Sequence, residues 1–147
     1  MDRFGITLAV WFGLLAFGVP GAAQAPVPAA SPVSDYQFVR ETGLLVFHVR
    51  VDRAPDFELV IDRIAAGLKT AASPLRQQQA AGWRVFRSTD TPEGAIYVMM
   101  FDPAMPGADY DPVKMLTELV PAEVGPLYER LKAAVIRVER LDLERLR

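Results

Sequence analysis

The sequence predicts an α+β domain built in the order strand, helix, strand, strand, helix, strand. Three observations predict it. Period-two alternation marks strands at residues 44–51 and 83–88, an almost unbroken apolar run marks a third at 95–101, and helical periodicity fills the stretches at 55–70 and from 112 onward.

Taken in order, the chain opens with Arg3, an apolar run over 4–19 and the small residues Gly21, Ala22, Ala23 and Ala25, the layout of a secretory signal. A transmembrane helix wants about 20 apolar residues. This run is shorter and ends at Pro20, so residues 1–25 read as a cleaved signal and the mature chain as extracytoplasmic, periplasmic or secreted, without a membrane anchor. Residues 26–42 read as a proline- and alanine-rich linker and tether, and 43–147 as the folded domain.

In the first strand Leu45, Phe47, Val49 and Val51 share one face, and Leu44, Val46, His48 and Arg50 the other. Pro55, Asp56 and Glu58 then open a helix whose apolar positions Phe57, Val60, Ile61, Ile64 and Leu68 recur at helical spacing to about Thr70. Ser73-Pro74 starts a short second helix, Gly82 is placed to close it in a left-handed conformation, and the three glutamines 77–79 read as its solvated face. Trp83 to Ser88, turn formers over 89–94 and Ala95 to Phe101 form a hairpin. A turn-rich loop leads to Asp111-Pro112, which launch a helix through Leu116 and Leu119, and after Pro121 and Pro126 another follows with Leu127, Leu131, Ala134 and Val135 on one stripe. Residues 138–143 fit either a continued helix or a final strand.

Composition narrows the function. A net charge of −2 offers no basic field for nucleic acid, and the absence of cysteine removes disulfides, thiolate metal sites and a cysteine nucleophile. No phosphate loop, Ser-His-Asp arrangement or His-Glu-x-x-His motif occurs, and no cofactor is expected. His48 is the only histidine, which disfavours zinc or haem. Asp102, Asp109 and Asp111 are explained by turns and helix capping, and no metal site is expected from them.

The element order is that of the ferredoxin-like βαββαβ sheet, with helices on one face and the first and third strands central. The apolar strands 44–51 and 95–101 suit the centre, while Arg84 and Arg87 suit an edge, which favours reading 138–143 as the fourth strand. The face opposite the helices would then carry Leu44, Val46, His48, Arg50, Phe86, Tyr97, Met99 and Phe101. That surface is too apolar for a monomer, so a homodimer is expected.

The segments GLLVFHVRVDRAPDFELVIDRI, PLRQQQAAGWRVFRS and IYVMMFDPAMPGADYDPVKML resemble exported bacterial members of the dimeric α/β-barrel superfamily. The resemblance covers about residues 43–143 and implies two sheets facing each other across a dimer axis. Its marks are structural, and the superfamily spans haem enzymes, cofactor-free monooxygenases and lactone isomerases, so it does not select an activity.

The candidate ligand site is His48, Arg50, Arg84 and Tyr97, beside Trp83, a cationic and aromatic group suited to a small anionic or aromatic molecule. Two readings follow: an exported dimeric module that binds a small molecule or protein partner, and a cofactor-free enzyme with His48 as general base and an arginine stabilising the developing anion. The constellation requires Tyr97 to face away from the helices, leaving Ile96, Val98 and Met100 in the core. A one-residue slip of that strand would put Tyr97 in the core instead.

Overall fold

A computed structural model describes residues 34–88 and 94–147; the expected signal and most of the expected linker, within 1–33, and the expected turn at 89–93 lie outside the described residues. Four strands form one antiparallel sheet: β1 (Thr42–Val49), β2 (Trp83–Ser88), β3 (Ala95–Phe101) and β4 (Val135–Leu143). Their spatial order is β2-β3-β1-β4, so the first and third strands are central and the arginine-bearing β2 is an edge. Each crossover holds a pair of helices: α1 (Ala54–Thr70) with α2 (Pro74–Gly82), and α3 (Pro112–Leu119) with α4 (Val124–Ala134). The architecture is thus α+β, and residues 138–143 are strand, which begins already at Val135 where an apolar helix stripe was expected to continue.

The helices cover one sheet face. Leu45, Phe47 and Val49 of β1 are buried beneath them, as the alternation predicts, and meet Phe57, Val60, Ile64 and Leu68 of α1. Each such side chain contributes about 1.5–3 kcal/mol by leaving water. Asp56 at the start of α1 pairs with Arg53 and with Arg130 of α4, tying the first turn of α1 to the middle of α4.

The third strand adopts the opposite register from the one the candidate site requires. Ala95, Tyr97, Met99 and Phe101 are buried under the helices, and Ile96, Val98 and Met100 face out. Both sets are apolar, so alternation along β3 does not choose between them; the helix layer does. The Tyr97 ring lies 4.6 Å from that of Phe57, and Phe101 lies 4.2 Å from Tyr110 and 5.4 Å from Phe38, aromatic partners that only the odd-numbered set can reach.

Phe38 marks a second departure, because residues 34–41, read as tether, are packed. Its ring is 2% exposed and covers Gly43, where a Cβ would stand 2.2 Å from Phe38 Cδ1. Gly43 is therefore needed for close approach and not only as punctuation. The tether is held by Val39 N–H donating to Asp142 Oδ1 (3.0 Å) and Arg140 donating to the carbonyls of Ser34 and Gln37. The turn-rich loop after β3 is likewise core material: Ala104, Ala108 and Tyr110 are buried, and the Tyr110 hydroxyl accepts from Met105 N–H.

Two local readings of α2 are corrected. Gly82 is not left-handed; it ends the helix where a Cβ would meet Pro103 O at 2.7 Å, so the pressure on it is steric. Gln79 is not solvated but 1% exposed, accepting from buried Arg76, whose guanidinium also reaches Glu118 (2.8 and 2.5 Å) and the carbonyl of Asp109. Arg76 and Gln79 are three residues apart, so they share the inward face and leave Gln77 and Gln78 in water.

Candidate functional site: the uncovered sheet face

The register places every outward side chain of the sheet. Strand partners project to the same side. Across β2-β3-β1-β4 the rows of the open face are Ser88, Ile96, His48 and Arg137; Phe86, Val98, Val46 and Glu139; and Arg84, Met100, Leu44 and Leu141. No helix covers this face among the described residues. Its apolar character was expected; its membership on β3 was not, and Ile96, Val98 and Met100 replace Tyr97, Met99 and Phe101. Phe86 is 51% exposed here and Leu141 45%.

The four candidate ligand residues do not converge. His48 and Arg84 share the open face but stand two strands and four residues apart, roughly 16 Å at standard spacings. Arg50 follows β1, exposed, at the start of a short 3₁₀ turn, with its N–H donating to Ala134 O. Tyr97 is on the other side of the sheet, and Trp83, paired with Phe101, is on Tyr97's side. The orientation of β3 removes Tyr97, while strand order and position along the strands separate His48 from Arg84.

His48 has partners that its own strand could not disclose. Nε2 lies 3.1 Å from Glu139 Oε1, and Nδ1 lies 3.5 Å from Arg137 Nη2, while Arg137 Nη1 also pairs with the same carboxylate oxygen at 3.0 Å. The consistent proton arrangement has Nε2–H donating to Glu139 and the Nδ1 lone pair facing Arg137. Both ring nitrogens then have partners within the chain, a short one to Glu139 and a long one to the exposed Arg137. Alternation within 135–143 puts Arg137 and Glu139 on one face, and that signal becomes usable only once the segment is known to be a strand paired with β1.

Tyr97 belongs to a different cluster, which sequence reasoning missed. Its hydroxyl donates to Glu58 Oε1 (2.5 Å), Arg87 donates to the same oxygen (2.9 Å), and the Arg87 guanidinium sits 5.7 Å from the Tyr97 ring centroid. Burial pushes the phenol up to about 12, with the Glu58 hydrogen bond and charge adding to the effect and Arg87 opposing it. Here the tyrosine is a donor locking β3 to α1.

No group of three or more metal-ligating side chains occurs among the described residues, and none of their helices is long and apolar enough to cross a membrane. The fold and site define an α+β domain with one sheet face covered by helices and the other bare and apolar. Compared with known proteins, no family model, no curated protein and no solved structure matches the chain.

Proposed function

We propose that the protein is an exported module that works as a homodimer, its two bare sheet faces packed on each other, and that the assembled dimer binds a small molecule or a protein partner. The observation that carries this is the open face itself, with Leu44, Val46, Val98, Met100 and Phe86 contiguous across three strands. Four strands about 4.8 Å apart and seven residues long give a footprint of roughly 450 Å² per copy, about 900 Å² for the pair, in the range of weak and transient interfaces, so association no tighter than micromolar is expected. Charge favours a second copy as the occupant. Arg84 has no ion pair among the described residues, and a two-fold axis along the strands sets β2 over the other copy's β4, placing Arg84 opposite Leu141 with Glu139 one row away, about 7 Å along the strand and within reach of a long side chain.

The central β1 and β3, flanked by β2 and β4 and joined by helical crossovers, support a ferredoxin-like sheet, and the bare face supports a dimeric α/β barrel. The engagement of both His48 ring nitrogens supports binding over catalysis. Export rests on Arg3 and the apolar run after it, and N-terminal sequencing of secreted protein tests it.

The dimer is tested by sedimentation equilibrium of the wild type and Val98→Asp. Wild type should associate at micromolar concentration, and the variant, its carboxylate in the middle of the face, should be monomeric with an unchanged far-ultraviolet spectrum. A wild type that stays monomeric at 100 μM, on the order of ten times the expected constant, defeats the proposal.

A further inference from the structure

On the helix side of the sheet, away from the bare face, lies a cleft of about 260 Å³. Its floor is apolar, with Phe47, Leu131 and Val138 drawn from β1, α4 and β4. The packed lead-in supplies one wall through Tyr36, and α4 supplies the other through Tyr128. Neither the dimer contact nor any cluster described above uses it. We propose that this cleft is a binding site for a small organic cation, an ammonium group carrying a compact apolar or aromatic body.

Size sets the body. Typical sites for larger ligands occupy about 300–1,000 Å³, so this one takes a single ring or a short branched chain. Charge sets the head group. Asp111 lines the cleft; its Oδ1 accepts from Val113 N–H, and its second carboxylate oxygen has no partner among the described residues. The Tyr36 hydroxyl feels the same field: burial first, then Asp111, Asp35 and Asp109, push its ionisation upward. The aromatic wall already attracts an ammonium, since Lys132 Nζ stands 5.9 Å from the Tyr128 ring centroid. Lys132 is exposed and forms no ion pair among the described residues, so it can swing aside for a ligand. An anionic ligand would be opposed by the Asp111 carboxylate and would have to rely on Lys132, the exposed cation of the lining.

Lys132 also makes the sign of the test decisive. The probes are 2-phenylethylammonium and 3-phenylpropanoate, of similar shape and opposite charge, titrated into purified protein by calorimetry and by amide chemical-shift mapping. The ammonium should bind saturably, shifting amides of Tyr36, Val113 and Tyr128, and the carboxylate should not. Lys132→Ala removes a competing cation and should tighten ammonium binding roughly two- to fivefold, the scale of an exposed cation–π contact or ion pair. Asp111→Asn keeps a good helix cap but loses the charge, and should weaken binding by a similar factor without altering the melting temperature. Lack of saturable ammonium binding, equal binding of the carboxylate, or weakening by Lys132→Ala would each overturn the proposal. Should Asp111→Asn prove unstable, the Lys132→Ala sign alone decides.

Discussion

Replacing Tyr97 by phenylalanine tests the strand register on which the face assignment depends. The ring is 3% exposed and stays in place; only its hydroxyl is lost. That hydroxyl donates to Glu58, a carboxylate whose side chain is 44% exposed and which keeps Arg87, so the loss at neutral pH should be about 1–1.5 kcal/mol, below the full value for a charged partner. The pH dependence has a definite sign. Because the folded phenol titrates at about 12 against the ordinary 10.0, its contribution is complete below pH 10 and disappears as pH rises through about 12. Two units amount to roughly 2–3 kcal/mol, more than the hydroxyl supplies at pH 7, so the phenylalanine variant should overtake wild type by roughly 1 kcal/mol near pH 12. Tyr36 and Tyr110, also pushed upward, first of all by burial, titrate in both proteins and cancel in the difference. Urea titrations followed by circular dichroism at pH 7, 9, 11 and 12 measure it. A loss within about 0.5 kcal/mol at pH 7, as for a surface substitution, together with no change in the difference up to pH 12, would put Tyr97 on the open face and refute the register.

Gly43→Ala should cost roughly 2 kcal/mol, the worth of a buried phenylalanine, because its Cβ displaces the Phe38 ring; hydrogen exchange should show protection lost across residues 34–41, and retained protection there would contradict the packed lead-in. Asp56 is held below its ordinary 3.8 by Arg53 first and Arg130 after it, so it adds stability above that value that is lost as pH falls through the depressed one. Asp56→Asn should therefore flatten the acid limb of stability measured between pH 2 and 5, and an unchanged limb would mean that the pairs with Arg53 and Arg130 do not form.

Local chemistry settled most of the elements of this protein, though not the last strand. Pro55 and Asp56 open a helix whose apolar spacing holds to Thr70. Asp111 caps α3 through Val113 N–H. The alternation of β1 separates Leu45, Phe47 and Val49 from Leu44, Val46 and His48 because only one of those faces is wholly apolar, and the helices took that face. Tertiary structure decided whatever local pattern left symmetric. Along β3 both faces are apolar, so its register followed from Phe57, Phe38 and Tyr110, residues distant in sequence that offered rings to one set alone. Residues 138–143 carry a pattern that either period can accommodate, and pairing with β1 made them strand from Val135 onward, which is how Arg137 and Glu139 came to stand beside His48. The candidate ligand group failed to assemble for two tertiary reasons: Tyr97 depended on the orientation of a two-faced strand, which the helix layer above it decides, and the sheet order holds the strands of His48 and Arg84 two apart.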